Sequence, residues 1–407
     1  MNCRHCDTPL EHVFLDLGFA PPSNAYLIRA QLQKAEIYLP LKLFVCDQCW
    51  LVQTEDFTQA DDLFCYDYAY YSSTSTSWLE HAAKYVTSIT ERFGLGPQSF
   101  VVEVASNDGY LLRNFLSPGI PCLGIEPTEG TANAAEELGI PVLREFFGNA
   151  LAQKLAAEGK QADLIIGNNV YAHVPDINDF TKGLKSLLKP DGVITLEFPH
   201  LMRLIEYVQF DTVYHEHFSY LSLHSVHLIF ERVGLRIWDV EELKTHGGSL
   251  RVYGCHKESA QVTSLAVTEL LAEEARRGMR TLAPYQEFQA KADKVKNEFL
   301  AFLIEKKLEG HTIAAYGAAA KGNTLLNYAG VKPDLLPVVY DAAKSKQGKM
   351  MPGSHIPIMP PSCLSEQRPD YLVVLPWNIV EEIKKQNTAI IEAGTKLVTA
   401  IPKLSIL

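Results

Sequence analysis

Apolar positions along the chain fall into three regimes. Up to about residue 75 they come as short runs such as LKLFVC, set among turns such as GFAPPSNAYL. From there a strand–helix rhythm takes over. FVVEVA, PCLGIEP, ADLIIGNN and DGVITLEFP are nearly unbroken apolar runs. The stretches between them, DGYLLRNFL, TANAAEELG and INDFTKGLKSLLK, carry helical patterning. Strands apolar on both faces and alternating with helices predict an α/β fold with a doubly wound parallel sheet. SLRVYGCH, residues 249–256, is expected to be its last strand. A stretch rich in Ala, Glu, Lys and Leu, from about Val262 to Glu309, predicts helix. Then the rhythm restarts. HTIAAYG, LPVVYD, DYLVVLP and TKLVTAIP read as strands, KGNTLLNYA and NIVEEIKKQN as helices. Three domains are therefore expected: 1–75, 76–258 and a smaller α/β domain over 259–407.

Length agrees. A chain of 407 residues holds two or three domains of about 100–200 residues each. It has no apolar run of roughly 18 residues that would span a membrane. The opening MNCRHCDTPL lacks the apolar core of a signal peptide, so a cytoplasmic protein is expected. Net charge is −11, which opposes a nucleic-acid partner.

Four of the eight cysteines change the picture of the first region. Cys3 and Cys6 form CRHC; Cys46 and Cys49 form CDQC. In a reducing compartment such pairs favour metal over disulfide. Two CxxC knuckles close a tetrahedral shell around zinc. Four thiolates leave no open position, so the zinc is expected to be structural. Four buried free cysteines is the plainer alternative.

VVEVASNDGYLL, residues 101–112, is the first strand and the turn after it, where a doubly wound sheet binds its nucleotide. Only Gly109 remains of the GxGxxG pattern, which argues against a dinucleotide. Ala105 and Ser106 are small enough for close approach, and Asn107 follows them. Glu126 and Pro127 close the second strand; a carboxylate there can accept both ribose hydroxyls. Glu103 before the turn, Asn168 and Asn169 at the end of a later strand, and Phe146 and Phe147 as an adenine sandwich complete a set that suits S-adenosylmethionine. A plain α/β core explains the apolar runs. It does not explain polar residues at the strands' carboxyl ends.

The stretch DTVYHEHFSYLS, residues 211–222, crowds Tyr214, His215, Glu216 and His217 together. These side chains exchange protons near neutral pH. A solvated loop is the plainer reading.

The chain resembles the sugar C-methyltransferases that act on nucleotide-linked 4-keto-deoxysugars. The resemblance rests on the CxxC pairs, YAYYSSTS, VEVASNDGYLL, NNVYAHVPD, YHEHFSYLS, THGGSLRVYG, YGAAAKGNT and LPWN, spread over nearly the whole length. It implies a zinc module, a methyltransferase domain binding S-adenosylmethionine, and an α/β C-terminal domain contributing to a nucleotide-sugar site. It places a catalytic base at His217, with Tyr214, Glu216 and His173 around it. The chemistry wants the same types: a base for the proton next to a ketone, and donors such as Tyr214 and His173 for the enolate oxygen. The substrate is expected to meet His246, Ser249 and Arg251 of THGGSLRVYG. Lys321, Gly322 and Asn323 are expected at a helix N-terminus that holds a pyrophosphate. Tyr68, Tyr71, Ser72 and Ser73 of YAYYSSTS are candidates as well. A monomer or weak dimer is expected. A zinc-bearing RNA methyltransferase, a non-catalytic scaffold and a methyltransferase acting on another ketone or enol remain alternatives.

Overall fold

Residues 1–55 and 71–407 are described by the computed structural model, and three sheets organise them. The first holds β1 (His12–Ala20), β2 (Leu39–Val45) and β3 (Val52–Thr54). The central sheet begins with β4 (Val101–Val104), β5 (Cys122–Ile125), β6 (Val142–Leu143), β7 (Ala162–Asn168) and β8 (Leu188–Pro199). A two-residue strand β9 (Ser219–Tyr220) follows, then β10 (Leu235–Leu243) and β11 (Ser249–His256). The third sheet holds β12 (Ile313–Tyr316), β13 (Val339–Tyr340), β14 (Ile358–Met359), β15 (Tyr371–Val374), β16 (Lys396–Thr399) and β17 (Ser405–Ile406).

The central sheet runs β10-β11-β8-β7-β4-β5-β6. Its β4 to β8 core is parallel, as the apolar runs predict. At one edge β11 lies antiparallel between β8 and β10. SLRVYGCH is thus the last strand in the chain but not the last in space. The outer strand β10 escapes sequence reading because it is only half-buried and shows no continuous apolar run. From β4 the chain winds to β5 and β6 on one side and to β7 and β8 on the other. That reversal opens a crevice at the carboxyl ends of β4 and β7.

The helix expected at DGYLLRNFL shrinks to Arg113–Leu116. Asn107 and Gly109 sit at φ 51° and 75°, and hold the chain out of the right-handed region. The helical stretch from Val262 divides into Leu265–Arg276, Ala283–Gln286 and Phe288–Leu308, with Gly278 at φ 78° closing the first. The third sheet, β14-β13-β12-β15-β16-β17, is parallel except for β17.

The first sheet is not a free-standing module. Its fourth strand is β9, from the far side of the chain: Val52 pairs with Tyr220 and Gln53 with Ser219. Phe14 stacks on Phe288 with centroids 4.7 Å apart and meets Tyr285 edge-on at 5.6 Å. Burying one such ring is worth about 3–5 kcal/mol against alanine. The first cysteine knuckle also reaches the central domain. Arg4 Nη1 donates to the Pro175 carbonyl at 2.7 Å and Nη2 to that of Thr54 at 3.1 Å. Asn178 Nδ2 donates to the carbonyls of Arg4 (3.1 Å) and His5 (2.9 Å). Among the described residues no helix is long and apolar enough to cross a membrane.

Candidate active site and zinc centre

Each cysteine pair folds as a knuckle. Asp7 and Trp50 directly follow the second cysteine of each pair and take φ 64° and 59°. Cys3 and Cys49 Sγ lie 3.5 Å apart, as do those of Cys6 and Cys46, and Cys6 and Cys49 are separated by 3.6 Å. All four sulfurs fall within 4.8 Å of one another. A disulfide would bring two of them to about 2.05 Å. Thiolates on a tetrahedral zinc with bonds near 2.3 Å stand about 3.8 Å apart. The set fits zinc, which Cys3, Cys6, Cys46 and Cys49 would hold with no position left for a substrate.

A cavity of about 380 Å³ opens at the reversal point of the central sheet and extends to the third sheet. At the sheet end it is lined by Ala105 and Asn107 after β4, by Glu126 and Pro127 after β5, and by Asn168 and Asn169 after β7. Phe146 and Phe147 flank it. Ala105, Asn107 and Asn169 take φ 56°, 51° and 54°, strained for residues with a side chain. Glu126 Oε2 accepts from Asn107 N (2.9 Å) and Oε1 from Thr128 N (3.0 Å), so the carboxylate is fixed where it faces the cavity. Both polar ends of the buried Asn168 amide lack a partner among the described residues. A fixed carboxylate and an unsatisfied amide at a switch point suit the ribose and amino acid parts of S-adenosylmethionine.

Three residues expected at the cofactor do not reach it. Ser106 is fully buried, and a Cβ on Gly124 would stand 2.4 Å from its Oγ. A Cβ on Gly109 would meet Ile140 at 2.4 Å, so Gly109 permits close helix–strand packing. Glu103 lies behind the turn; burial, then Glu126 and Asp108, hold its carboxyl well above the usual carboxylate range. Tyr71, Ser72 and Ser73 lie at this cofactor end. Asn107 Oδ1 accepts from Ser72 N (2.9 Å) and Asp108 Oδ2 from Ser73 N (3.0 Å). The Tyr71 hydroxyl would stand 2.9 Å from a Cβ on Gly130. Tyr68 lies outside the described residues.

The other end of the cavity gathers His173, Tyr214, Glu216 and His217. His217 is the hub. Its ring lies 4.3 Å from that of Tyr214 and 4.5 Å from that of His173, centroid to centroid. Burial is the largest cause holding its pKa well below 6.5, followed by the neighbouring His173 and His246. The backbone carbonyl of Thr212 beside the ring pulls the other way. His173 is held down to about 4 by burial, against which the Glu216 backbone carbonyl pulls upward. Burial pushes Glu216 up to about 7, while Asn24 Nδ2 pulls the other way, 2.9 and 3.1 Å from its two oxygens. His215 turns away, with Nε2 3.3 Å from the Leu39 carbonyl. Of YHEH, only His215 faces the N-terminal sheet; Tyr214, Glu216 and His217 line the cavity.

Of the residues expected at the substrate, Ser72, His246 and Lys321 line the cavity. Asn169 Nδ2 donates to His246 Nε2 at 3.2 Å. Ser249 instead closes its own turn onto the Thr245 carbonyl at 3.0 Å. Arg251 is spent on Glu197 (2.6 Å) and Glu241 (3.3 Å) and lies over the Tyr85 ring. Gly322 packs helix against Leu375, whose Cδ1 would stand 2.8 Å from a Cβ there. Asn323 Nδ2 binds the Ser23 carbonyl at 2.7 Å. The pyrophosphate role expected of Gly322 and Asn323 is thus replaced by packing and by tethering of the 21–26 loop. Sequence reasoning passed over Asn24, Trp78, Thr212 and Lys346, which also line the cavity. Asn24 sits in a stretch whose Pro-Pro-Ser spacing reads only as a turn.

Matches to known families define the class. Residues 3–64 match a zinc binding domain, 78–240 a methyltransferase domain and 244–402 a C-methyltransferase C-terminal domain. The protein is an S-adenosylmethionine-dependent C-methyltransferase carrying a zinc-binding module. Over 402 residues it is 34% identical to the C-methyltransferase NovU of Streptomyces niveus, covering 99% of this chain and 96% of that one. The chain belongs to that C-methyltransferase family. Among solved structures it is similar to YcgJ of Bacillus subtilis (12% identity, TM-score 0.35, covering 44% of this chain and all of that one). It is also similar to the magnesium protoporphyrin IX methyltransferase of Synechocystis with bound S-adenosylhomocysteine (14%, 0.35, 44% and 84%).

Proposed function

We propose that the protein methylates the carbon next to the ketone of a nucleotide-linked 4-keto-deoxysugar. One observation carries the reading. The half-buried imidazole of His217, between the rings of Tyr214 and His173, stands in the cavity whose other end fits the methyl donor. S-adenosylmethionine, when bound, supplies a methyl group on a sulfonium leaving group. The protein's part is to make a carbon nucleophile. His217 takes the α-proton, because a base works best unprotonated at the operating pH. The edge-on ring of His173 and the tilted ring of Tyr214 hold its plane. Glu216, oriented by Asn24, is placed to bind a sugar hydroxyl.

The resemblance of YHEHFSYLS and THGGSLRVYG to the sugar C-methyltransferases supports the sugar. So do two lysines at the cavity, the buried Lys321 and the half-buried Lys346. Their ammonium groups donate to Asn378 Oδ1 and to the Ala318 carbonyl, and neither makes an ion pair among the described residues. They favour an anionic substrate. Domain limits of 1–75, 76–258 and 259–407, and a monomer or weak dimer, belong to the same reading.

The test incubates the protein with S-adenosylmethionine and thymidine- or cytidine-linked 4-keto-deoxysugars. A mass gain of one methyl on carbon is expected. Methylation only of a non-sugar ketone, or of RNA, would displace the reading.

A further inference from the structure

The ketone reading leaves the enolate oxygen without a partner, and any role assigned at that oxygen rests on the same reading. When the α-proton leaves, the C–H bond breaks and its electron pair becomes the new C=C bond. The carbonyl π pair moves onto oxygen, and the proton goes to His217. A buried oxyanion needs donors aimed at it. The backbone carbonyls of Thr212 and Glu216 beside the His217 and His173 rings compete for their N–H groups. The Tyr214 hydroxyl is one candidate. A cation at the cavity whose helix is bonded to the same segment is another.

That cation is Lys321. It stands on the helix Ala320–Tyr328, which packs on the catalytic segment. Thr324, three residues on and on the same helix face, donates to the Val213 carbonyl at 2.8 Å, directly before Tyr214. The ammonium lies 4.8 Å from the centre of the Trp377 ring and donates to Asn378 Oδ1 at 2.7 Å. Trp377 is pinned in turn. Its Nε1 donates to Asp211 Oδ2 at 2.8 Å, and its ring lies against Gly247, where an added Cβ would stand 2.4 Å away. Gly247 adjoins His246 of the cavity wall. So WN of the LPWN motif forms a seat that presents Lys321 among the histidines. One of its three N–H groups is used on Asn378, and no carboxylate ion-pairs with it among the described residues. Lys346 is held differently, over Tyr26 and on the Ala318 carbonyl at 2.8 Å.

We propose that Lys321 is a catalytic residue whose ammonium donates a hydrogen bond to the ketone oxygen and stabilises the enolate. This differs from the pyrophosphate role that its place at a helix N-terminus suggests.

The two roles separate in one set of measurements on Lys321→Met. Deuterium wash-in from heavy water next to the ketone, with S-adenosylhomocysteine bound, reads enolate formation. Affinity for the nucleoside diphosphate alone reads phosphate binding. Exchange and kcat are expected to fall about 10²–10³-fold, the usual loss for one oxyanion donor, while nucleoside diphosphate and S-adenosylhomocysteine still bind. Lys321→Arg should recover part of the exchange. Wild-type exchange in Lys321→Met overturns the assignment. So does unchanged kcat with a tenfold loss of diphosphate affinity, which would put Lys321 on the phosphates. If the Met variant misfolds and loses S-adenosylhomocysteine, Asn378→Ala decides. Slower exchange with both ligands bound supports the seat, and unchanged exchange overturns it. Wild-type protein that neither exchanges nor methylates any 4-keto sugar would instead remove the ketone reading itself.

Discussion

The two ends of the cavity are made in opposite ways. The cofactor end comes from one sheet: the turns after β4, β5 and β7 deliver Ala105, Asn107, Glu126, Asn168 and Asn169 from within about 65 residues of each other. The reacting end is assembled from distant pieces. His173 follows β7, Tyr214 to His217 precede β9, Asn24 comes from the loop after β1 and Lys321 from the helix after β12. One end is therefore a property of a domain. The other is a property of how domains meet. Burial there also sets the chemistry, because it keeps the histidines neutral and Glu216 protonated more readily than usual.

The hardest blow to this contrast is removal of the metal. Structural zinc in small sites is worth about 10–16 kcal/mol, so Cys46→Ser should lose zinc by elemental analysis and lower the melting temperature sharply. The contrast sharpens if the variant still binds S-adenosylhomocysteine in calorimetry while methyl transfer is lost, since only the reacting end leans on β3. Equal loss at both ends would break it. A smaller effect is expected from His217→Asn. Here kcat should fall about 10²–10⁴-fold and cofactor affinity should hold. Loss of cofactor binding would make His217 structural, and a surviving deuterium exchange would move the base to another residue.

Next in size is the pH profile. His217 acts as a base only when unprotonated, and its pKa lies well below 6.5. The acid limb of kcat/KM should accordingly fall below pH 6.5. A limb near pH 7, where burial places Glu216, would give that carboxylate the proton-taking role instead. The mildest change is Glu126→Ala at the other end. It should weaken S-adenosylmethionine by about 1–3 kcal/mol and leave exchange at saturating cofactor unaltered. Unchanged affinity in calorimetry would remove Glu126 from the ribose.

Legibility in the sequence followed the same division. The continuous apolar runs of β4, β5, β7 and β8 announced a parallel sheet, and strand ends are where such sheets bind ligands, so Glu126, Asn168 and Asn169 could be read directly. The cysteine spacing was equally plain. What periodicity cannot carry is convergence. Nothing in GFAPPSNAYL says that Asn24 reaches Glu216, and nothing local to Lys321 distinguishes a phosphate from a ketone. Ser106, Gly109 and Gly322 misled for a related reason. Small residues at a turn serve packing as readily as ligands, and only the neighbour that fills the space tells which.

The pairing of β3 with β9 also has a consequence in time. Synthesis runs from the N-terminus, so Val52–Thr54 leaves the ribosome about 165 residues before Ser219–Tyr220. At about 5–20 residues per second that is on the order of ten to thirty seconds. During this interval the nascent N-terminal sheet presents an open strand edge, the kind of surface on which chains aggregate. Two short knuckles that capture zinc early would keep β1, β2 and β3 in register while they wait. A cell short of zinc would then be expected to accumulate aggregated rather than merely inactive enzyme.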